Sequence, residues 1–66
     1  AIADFNQAIR LNPNLAGAYG NRGLAYGKLG ESQKAIADLR KAVTLFQQQG
    51  DKTQAQKILQ VLNKMS

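Results

Sequence analysis

The chain has 66 residues, nine of them basic and four acidic, and a net charge of +5 at neutral pH. That length allows one small domain, which buries only about 60% of its unfolded surface and is therefore expected to be marginally stable. The absence of cysteine and histidine excludes disulfides, thiolate nucleophiles and thiolate or imidazole metal sites, and it favours a reducing, cytoplasmic location. No apolar run has the length of a transmembrane span or a signal peptide, so we expect a soluble protein without a membrane role.

The first predicted element is an amphipathic helix over residues 1–12. Its large apolar residues recur at helical spacing: Ile2, Phe5 and Ile9. The helix has to end before Pro13, because proline cannot extend a helix and pushes the preceding residue out of the α region. Asn14 is predicted to cap the helix that follows.

The second predicted helix covers residues 15–29 and has glycine at positions 17, 20, 23 and 27. Each interior glycine destabilises a helix by about 0.5–1 kcal/mol relative to alanine, so packing must hold this element in place. Gly30 is predicted to end the helix in the left-handed conformation.

A third helix is predicted over residues 32–49 and a fourth over 51–65, separated by Gly50. Asp51 and Gln54 resemble a capping box at the start of the fourth helix. The apolar stripe of the third helix consists of Ala35, Ile36, Leu39, Ala42, Val43 and Phe46. The sequence therefore predicts an all-α fold of four antiparallel helices.

The stretch 35–45 repeats the stretch 1–11, and we call the spacing from Ala1 to Ala35 the repeat period. Six of the eleven pairs are identical: Ala1/Ala35, Ile2/Ile36, Ala3/Ala37, Asp4/Asp38, Ala8/Ala42 and Leu11/Leu45. A fixed period of this length is typical of stacked repeats, in which each unit buries its apolar face against its neighbours.

The motif Tyr19-x-x-Arg22-Gly23-x-x-Tyr26 is followed by Ala35-x-x-x-Leu39 and Ala42, and Phe5 stands eight residues before Pro13. Together with the repeat period, this pattern resembles the tetratricopeptide repeat family over residues 1–46. The resemblance implies an α-solenoid fragment, with residues 1–12 as helix B of one repeat and residues 15–29 and 32–49 as helices A and B of the next. Residues 51–65 would be a capping helix. Since the pattern starts within a repeat, we expect a piece of a longer array.

Gly23 and Ala35 lack bulk where two antiparallel helices should cross most closely. Arg22 stands where the family pattern has leucine, so we expect its stem to pack and its guanidinium to reach water. Asp38 is expected on a solvated face, within reach of Lys34 or Lys41.

The resemblance also implies that helix A lines a concave groove for a peptide or partner helix. The residues expected there are Gly17, Gly20, Asn21, Leu24, Gly27 and Lys28. Asn21 could bind a ligand main chain, and Lys28 could bind an acidic group. The equal alternative is that Gly17, Gly20 and Gly27 lie on a surface that binds nothing, where the loss of a side chain is tolerated. Asn21 also resembles the asparagine with which some family members bind the C-termini of heat-shock chaperones, although the basic residues of that clamp would have to lie in other repeats.

The leading hypothesis is a protein–protein interaction scaffold that is not an enzyme and has no catalytic, cofactor or metal site. The first alternative is a structural module that forms homo-oligomers through an uncovered edge at Ile2, Phe5 and Ile9. The second is nucleic-acid binding, which the net charge favours but the scattered positions of the basic residues do not.

Overall fold

The computed structural model describes residues 2–65, so Ala1, which enters the predicted first helix and the internal repeat, and Ser66 lie outside the described residues. Its four helices are α1 (Ile2–Leu11), α2 (Ala16–Lys28), α3 (Ser32–Gln48) and α4 (Lys52–Met65). The prediction of an all-α helical repeat is confirmed. Helices adjacent in the chain make the principal contacts, and the molecule is a flat body of 30 × 29 × 13 Å.

The two turns after α2 and α3 are built alike. Gly30 and Gly50 have φ values of +80° and +81°, a conformation that glycine adopts without a steric penalty. The residue after each glycine donates its N–H to the carbonyl oxygen five residues earlier, at 2.9 Å after α2 and 2.8 Å after α3. These bonds satisfy carbonyl groups that the ends of the helices leave free, as predicted for Gly30.

The prediction that Asn14 caps α2 is wrong. Leu15 occupies the N-cap position and makes no side-chain capping bond. Asn14 instead donates its own backbone N–H to the side-chain oxygen of Asn12 at 3.1 Å, and its carbonyl oxygen accepts a bond from Gln49 at 3.0 Å. The two asparagines thus stabilise the turn around Pro13 and connect it to the C-terminal end of α3.

At the start of α4, the backbone N–H of Gln54 donates to the side chain of Asp51 at 3.2 Å. This is the Asp51 half of the predicted capping box, and it satisfies one of the free N–H groups of the first turn.

The core lies where α3 packs on α2. Ala35, Leu39 and Ala42 are almost completely buried there. A Cβ atom added to Gly23 would lie 2.8 Å from Cγ of Leu39 and 3.1 Å from the carbonyl oxygen of Ala35. Such distances leave no room for a side chain, so the predicted close crossing at Gly23 and Ala35 is confirmed.

Arg22 keeps a side-chain exposure of 20%, but its guanidinium makes contacts that the prediction did not include. Its guanidinium donates two hydrogen bonds of 2.7 Å to the carboxylate of Asp38 and a third of 2.9 Å to the side-chain oxygen of Asn6. It also lies 5.4 Å from the ring centre of Tyr19 and 6.0 Å from that of Tyr26. The bonds to Asp38 raise the pKa of Arg22 above its ordinary value, against the opposing effect of burial. This network joins α1, α2 and α3.

The prediction that Asp38 lies on a solvated face near Lys34 or Lys41 is also wrong. Asp38 is buried, at 7% exposure, and its partner is Arg22 rather than Lys34 or Lys41. Lys34 pairs instead with Glu31 at 3.7 Å, one helical turn away. A carboxylate on the side of α3 that faces α2 needs a partner on α2, because an unpaired buried charge is strongly unfavourable.

Candidate functional site

A groove runs between α2 and α4 and encloses a cavity of about 240 Å³. Helix α2 contributes Gly17, Gly20, Asn21 and Leu24 to its lining. Helix α4 contributes Gln54, Lys57, Ile58 and Val61. Leu39 and Phe46 of α3 lie between the two helices and give the cavity an apolar floor. We refer to this surface as the α2–α4 groove.

Four of the six residues expected in a groove are therefore brought together. Leu24 is 47% exposed, and Asn21 is exposed beside it. Gly17 is open, since a Cβ atom there would meet nothing within 4 Å. Gly20 is different, because it is buried and a Cβ atom there would lie 3.5 Å from Cδ1 of Ile58. A ligand could approach the backbone at Gly17, whereas α4 already covers it at Gly20.

The other two expected residues do not line the cavity. Gly27 lies one turn further along α2, where a Cβ atom would be 3.9 Å from Cε of Met65. Lys28 is the last residue of α2 and is exposed. Both lie beyond the end of the groove, on the same helix.

The contribution of α4 to the groove was not predicted, because the sequence indicated only a capping helix there. One face of α4 is polar and exposed, with Lys52, Gln56, Gln60 and Lys64. The opposite face carries Ile58 and Val61 towards α2, with Lys57 at the rim. The spacing of Ile58 and Val61 marks an apolar face, but only the packing shows that this face stands beside the glycines of α2.

The chemical character of the groove is set by apolar and amide groups. Its floor is apolar, and its polar groups are amides and one ammonium group: Asn21, Gln54 and Lys57. Within residues 2–65, no three acidic, histidine or cysteine side chains cluster as metal ligands would. Pairing with Asp38 removes Arg22 from the basic surface, which weakens the case for a nucleic-acid interface.

The residues expected at a self-association edge lie on α1. Ile2, Phe5 and Ile9 are each half-buried, and no described residue of α1 is fully buried. The most exposed apolar side chain on this helix is Leu11, at 77%. Across residues 2–65, none of the helices combines the length and the hydropathy that crossing a membrane requires.

The chain matches one family of known proteins. A family model described as a tetratricopeptide repeat matches residues 16–49, which include α2 and α3, and a second, described as a TPR repeat, matches residues 1–30. The Hsp70-Hsp90 organizing protein of Triticum aestivum is 42% identical over 45 residues, which make up 68% of this chain and 8% of that relative. No solved structure matches the chain significantly. With its repeat geometry and a match over half of its length, the chain belongs to the tetratricopeptide repeat family, whose helical repeats serve as protein-binding scaffolds.

Proposed function

We propose that the chain is a non-enzymatic interaction module that binds a peptide or a partner helix in the α2–α4 groove. The observation that carries the proposal is Leu24, an apolar side chain left 47% exposed at a cavity whose floor is also apolar. Apolar surface of this kind gains free energy when a ligand side chain covers it.

The shape of the groove favours a ligand that brings its main chain close to α2. Gly17 is exposed and has free space above it, so no side chain holds a ligand away there. The amide of Asn21, also exposed, can donate and accept hydrogen bonds with a ligand main chain. An apolar ligand side chain would then lie against Leu24, Ile58 and Val61.

Charge favours an acidic ligand. Lys57 lies at the rim of the groove, Lys28 follows at the end of α2, and the chain has a net charge of +5. We therefore propose a peptide that combines an apolar anchor with a nearby carboxylate. Such complementarity speeds encounter and fixes orientation more than it adds affinity.

The name of the matching relative gives the first partners to test. It is called an organizing protein of Hsp70 and Hsp90, and we propose these two chaperones as candidate partners of this chain. Asn21 lines the groove and resembles the asparagine with which some family members bind the C-termini of heat-shock chaperones, which supports the proposal; the basic residues of that clamp would lie in other repeats.

The test is a titration of the isotope-labelled chain with purified Hsp70 and, separately, Hsp90, followed by amide chemical shifts. We expect shifts concentrated at Asn21, Leu24 and Val61. The variant Leu24→Gln should weaken binding about tenfold or more, since truncating a central apolar contact costs over about 1 kcal/mol. Leu29→Gln is the matched control, because Leu29 is 66% exposed but lies outside the groove.

The outcomes separate the site from the partner. Equal binding by Leu24→Gln and the unaltered chain would overturn the groove as the site. If neither chaperone binds, these two partners are ruled out. Gly17→Leu provides a second check of the site, because it fills the open end of the groove, where an added Cβ has no other helix within 4 Å. It should weaken binding while the helix content stays constant.

A further inference from the structure

Just past the end of the α2–α4 groove, each of the two helices that form it carries a lysine. Lys28 is the thirteenth residue of α2, and Lys64 is the thirteenth residue of α4. Both side chains are exposed. The two lysines therefore stand at equivalent positions of the two helices.

Helices α2 and α4 run side by side in the same direction. A Cβ atom added to Gly20 would lie 3.5 Å from Cδ1 of Ile58, and one added to Gly27 would lie 3.9 Å from Cε of Met65. These two contacts are seven residues apart on both helices, so the helices stay close along the length of the groove. The second contact is next to both lysines in the chain, which places their backbones at the same end.

The two lysines also lie on the face of each helix that lines the groove. Asn21 and Lys57 face each other across the cavity as parts of its lining. Lys28 follows Asn21 by seven residues, and Lys64 follows Lys57 by seven residues. Seven residues advance about 10 Å along a helix and return the side chain to within about 20° of the same side. The lysines therefore repeat the row of Asn21 and Lys57 about 10 Å further along.

This face differs from the face on which helices of the repeat pack. Gly23 is buried against α3, and Lys28 lies five residues later, about 140° around α2 at 3.6 residues per turn. A helix packed on α4 in the way that α3 packs on α2 would be displaced from Lys64 by the same angle. The lysine pair therefore stays open when a further repeat stacks on α4.

The charge at this end of the groove is positive. The C-terminal ends of two helices carry about half a negative charge each, which two ammonium groups exceed. Neither Lys28 nor Lys64 has an ion-pair partner among residues 2–65, and Glu31, the nearest acidic residue to Lys28 along the chain, pairs with Lys34. An anionic group of a ligand would meet a pair of lysines that no carboxylate neutralises.

We propose that Lys28 and Lys64 form a second anion-binding subsite of the α2–α4 groove, which takes a side-chain carboxylate of an extended peptide. The inference rests on the proposed function, in which a first carboxylate lies near Lys57 and an apolar side chain lies against Leu24. Leu24 lies between the two rows, so the ligand carries an acidic side chain on each side of its apolar anchor.

The conformation of the ligand follows from Asn21. An extended peptide has free main-chain groups that this amide can bind, whereas a helix has already paired them. An extended chain covers about 10 Å in three residues, so two residues separate the acidic ones.

The test compares two short synthetic peptides of identical composition with blocked ends. Between terminal glycines, one has the sequence Glu-Leu-Leu-Glu and the other Leu-Leu-Glu-Glu, so only the spacing of the carboxylates differs. Adjacent glutamates cannot reach both rows. We expect the spaced peptide to bind about three- to fivefold more tightly, which is the scale of one exposed ion pair. Amide chemical shifts at Leu24 and Lys28 measure both affinities.

Two double variants locate the preference. Lys28→Gln with Lys64→Gln should bind the two peptides equally. Lys41→Gln with Lys52→Gln is the matched control, because it removes the same charge at exposed positions outside the groove, and it should keep the preference. For the unaltered chain, the preference should disappear at about 1 M salt, where the screening length is about 3 Å. All four positions are exposed, so circular dichroism should show folded chains.

The outcomes separate the subsite from the groove. Equal binding of the two peptides by the unaltered chain would overturn the second subsite, while the groove still stands if Leu24→Gln weakens both peptides. A preference that persists in Lys28→Gln with Lys64→Gln, or that the control also loses, would overturn the assignment to these lysines. If neither peptide shifts the amide of Leu24 at millimolar concentration, the groove and the subsite are overturned together.

Discussion

Helices α1 and α3 carry nearly the same sequence and have different surroundings. Leu45 is 4% exposed and Leu11 is 77% exposed, although both are leucines at the same position of the repeat. The difference arises because α3 packs against α2 on one side and α4 on the other, whereas α1 packs chiefly against α2. In a repeat protein, the burial of a side chain therefore depends on which helices pack beside it. An apolar residue at the right position can be buried, but it is buried only where a neighbouring helix covers it.

The largest expected effect comes from the two leucines at equivalent repeat positions, Leu45 and Leu11. Leu45→Ala should lower the free energy of unfolding by roughly 2–5 kcal/mol, since it leaves a cavity among packed side chains. Leu11→Ala should change it by less than about 0.5 kcal/mol at low protein concentration, as for most surface substitutions. Urea denaturation of the two variants measures the contrast. Similar losses at both positions would mean that α1 is covered in solution.

The two aspartates at equivalent repeat positions, Asp38 and Asp4, provide the next contrast. Asp38→Asn should destabilise the chain by roughly 1–3 kcal/mol, because it leaves the half-buried guanidinium of Arg22 without its counter-ion. Asp4→Asn should have an effect below about 0.5 kcal/mol, because its carboxylate is exposed. Thermal unfolding at constant ionic strength measures both. A harmless Asp38→Asn would show that the network orients α2 and α3 without stabilising them.

A substitution at Gly23 of α2 should loosen the packing of α3, so that α3 becomes less well covered, as α1 is. Gly23→Ala places a Cβ atom 2.8 Å from Leu39 and is expected to destabilise the chain by roughly 1–3 kcal/mol, as overpacking of a core does. Amide hydrogen exchange should show faster exchange in α3, because α2 is forced away from it. Unchanged protection around Leu39 would contradict the close crossing of these helices.

A substitution at Gly17 should have a smaller effect than one at Gly23, and of the opposite sign. Gly17→Ala meets no atom within 4 Å and replaces the poorer helix former, so it should stabilise the chain by about 0.5–1 kcal/mol. The denaturation midpoint measures this gain. Compared with Gly23→Ala, the same substitution six residues away on one helix shows which side of α2 is packed.

The helical architecture could be predicted from the sequence because the signals for it are local. The apolar spacing and the turn at Gly30 each depend on residues close together in the chain, and the repeat period can be read by aligning the chain with itself. The close crossing at Gly23 was predictable as well, since the repeat pattern places a small residue there.

The interhelical chemistry was harder to predict. Arg22 and Asp38 are far apart in the chain, and each looks like an ordinary surface residue within its own helix. Two features could have indicated the pair: aspartate recurs at positions 4 and 38, and Arg22 stands between two tyrosines at positions that pack. The residues that α4 contributes to the α2–α4 groove could not be predicted from the sequence, because their position depends on the angle at which α4 crosses its neighbours.

The pattern of contacts between chain neighbours has a consequence for how the protein folds. Each helix meets chiefly the helices before and after it, so few contacts require distant parts of the chain to find one another. Contacts of low sequence separation close short loops and lose little entropy, and helical proteins of this kind fold in microseconds to milliseconds. We expect α2 and α3 to pair first, because they form the buried core and only a short turn joins them. Temperature-jump relaxation of Gly23→Ala should then show a slower folding rate, whereas Leu11→Ala should leave that rate unchanged.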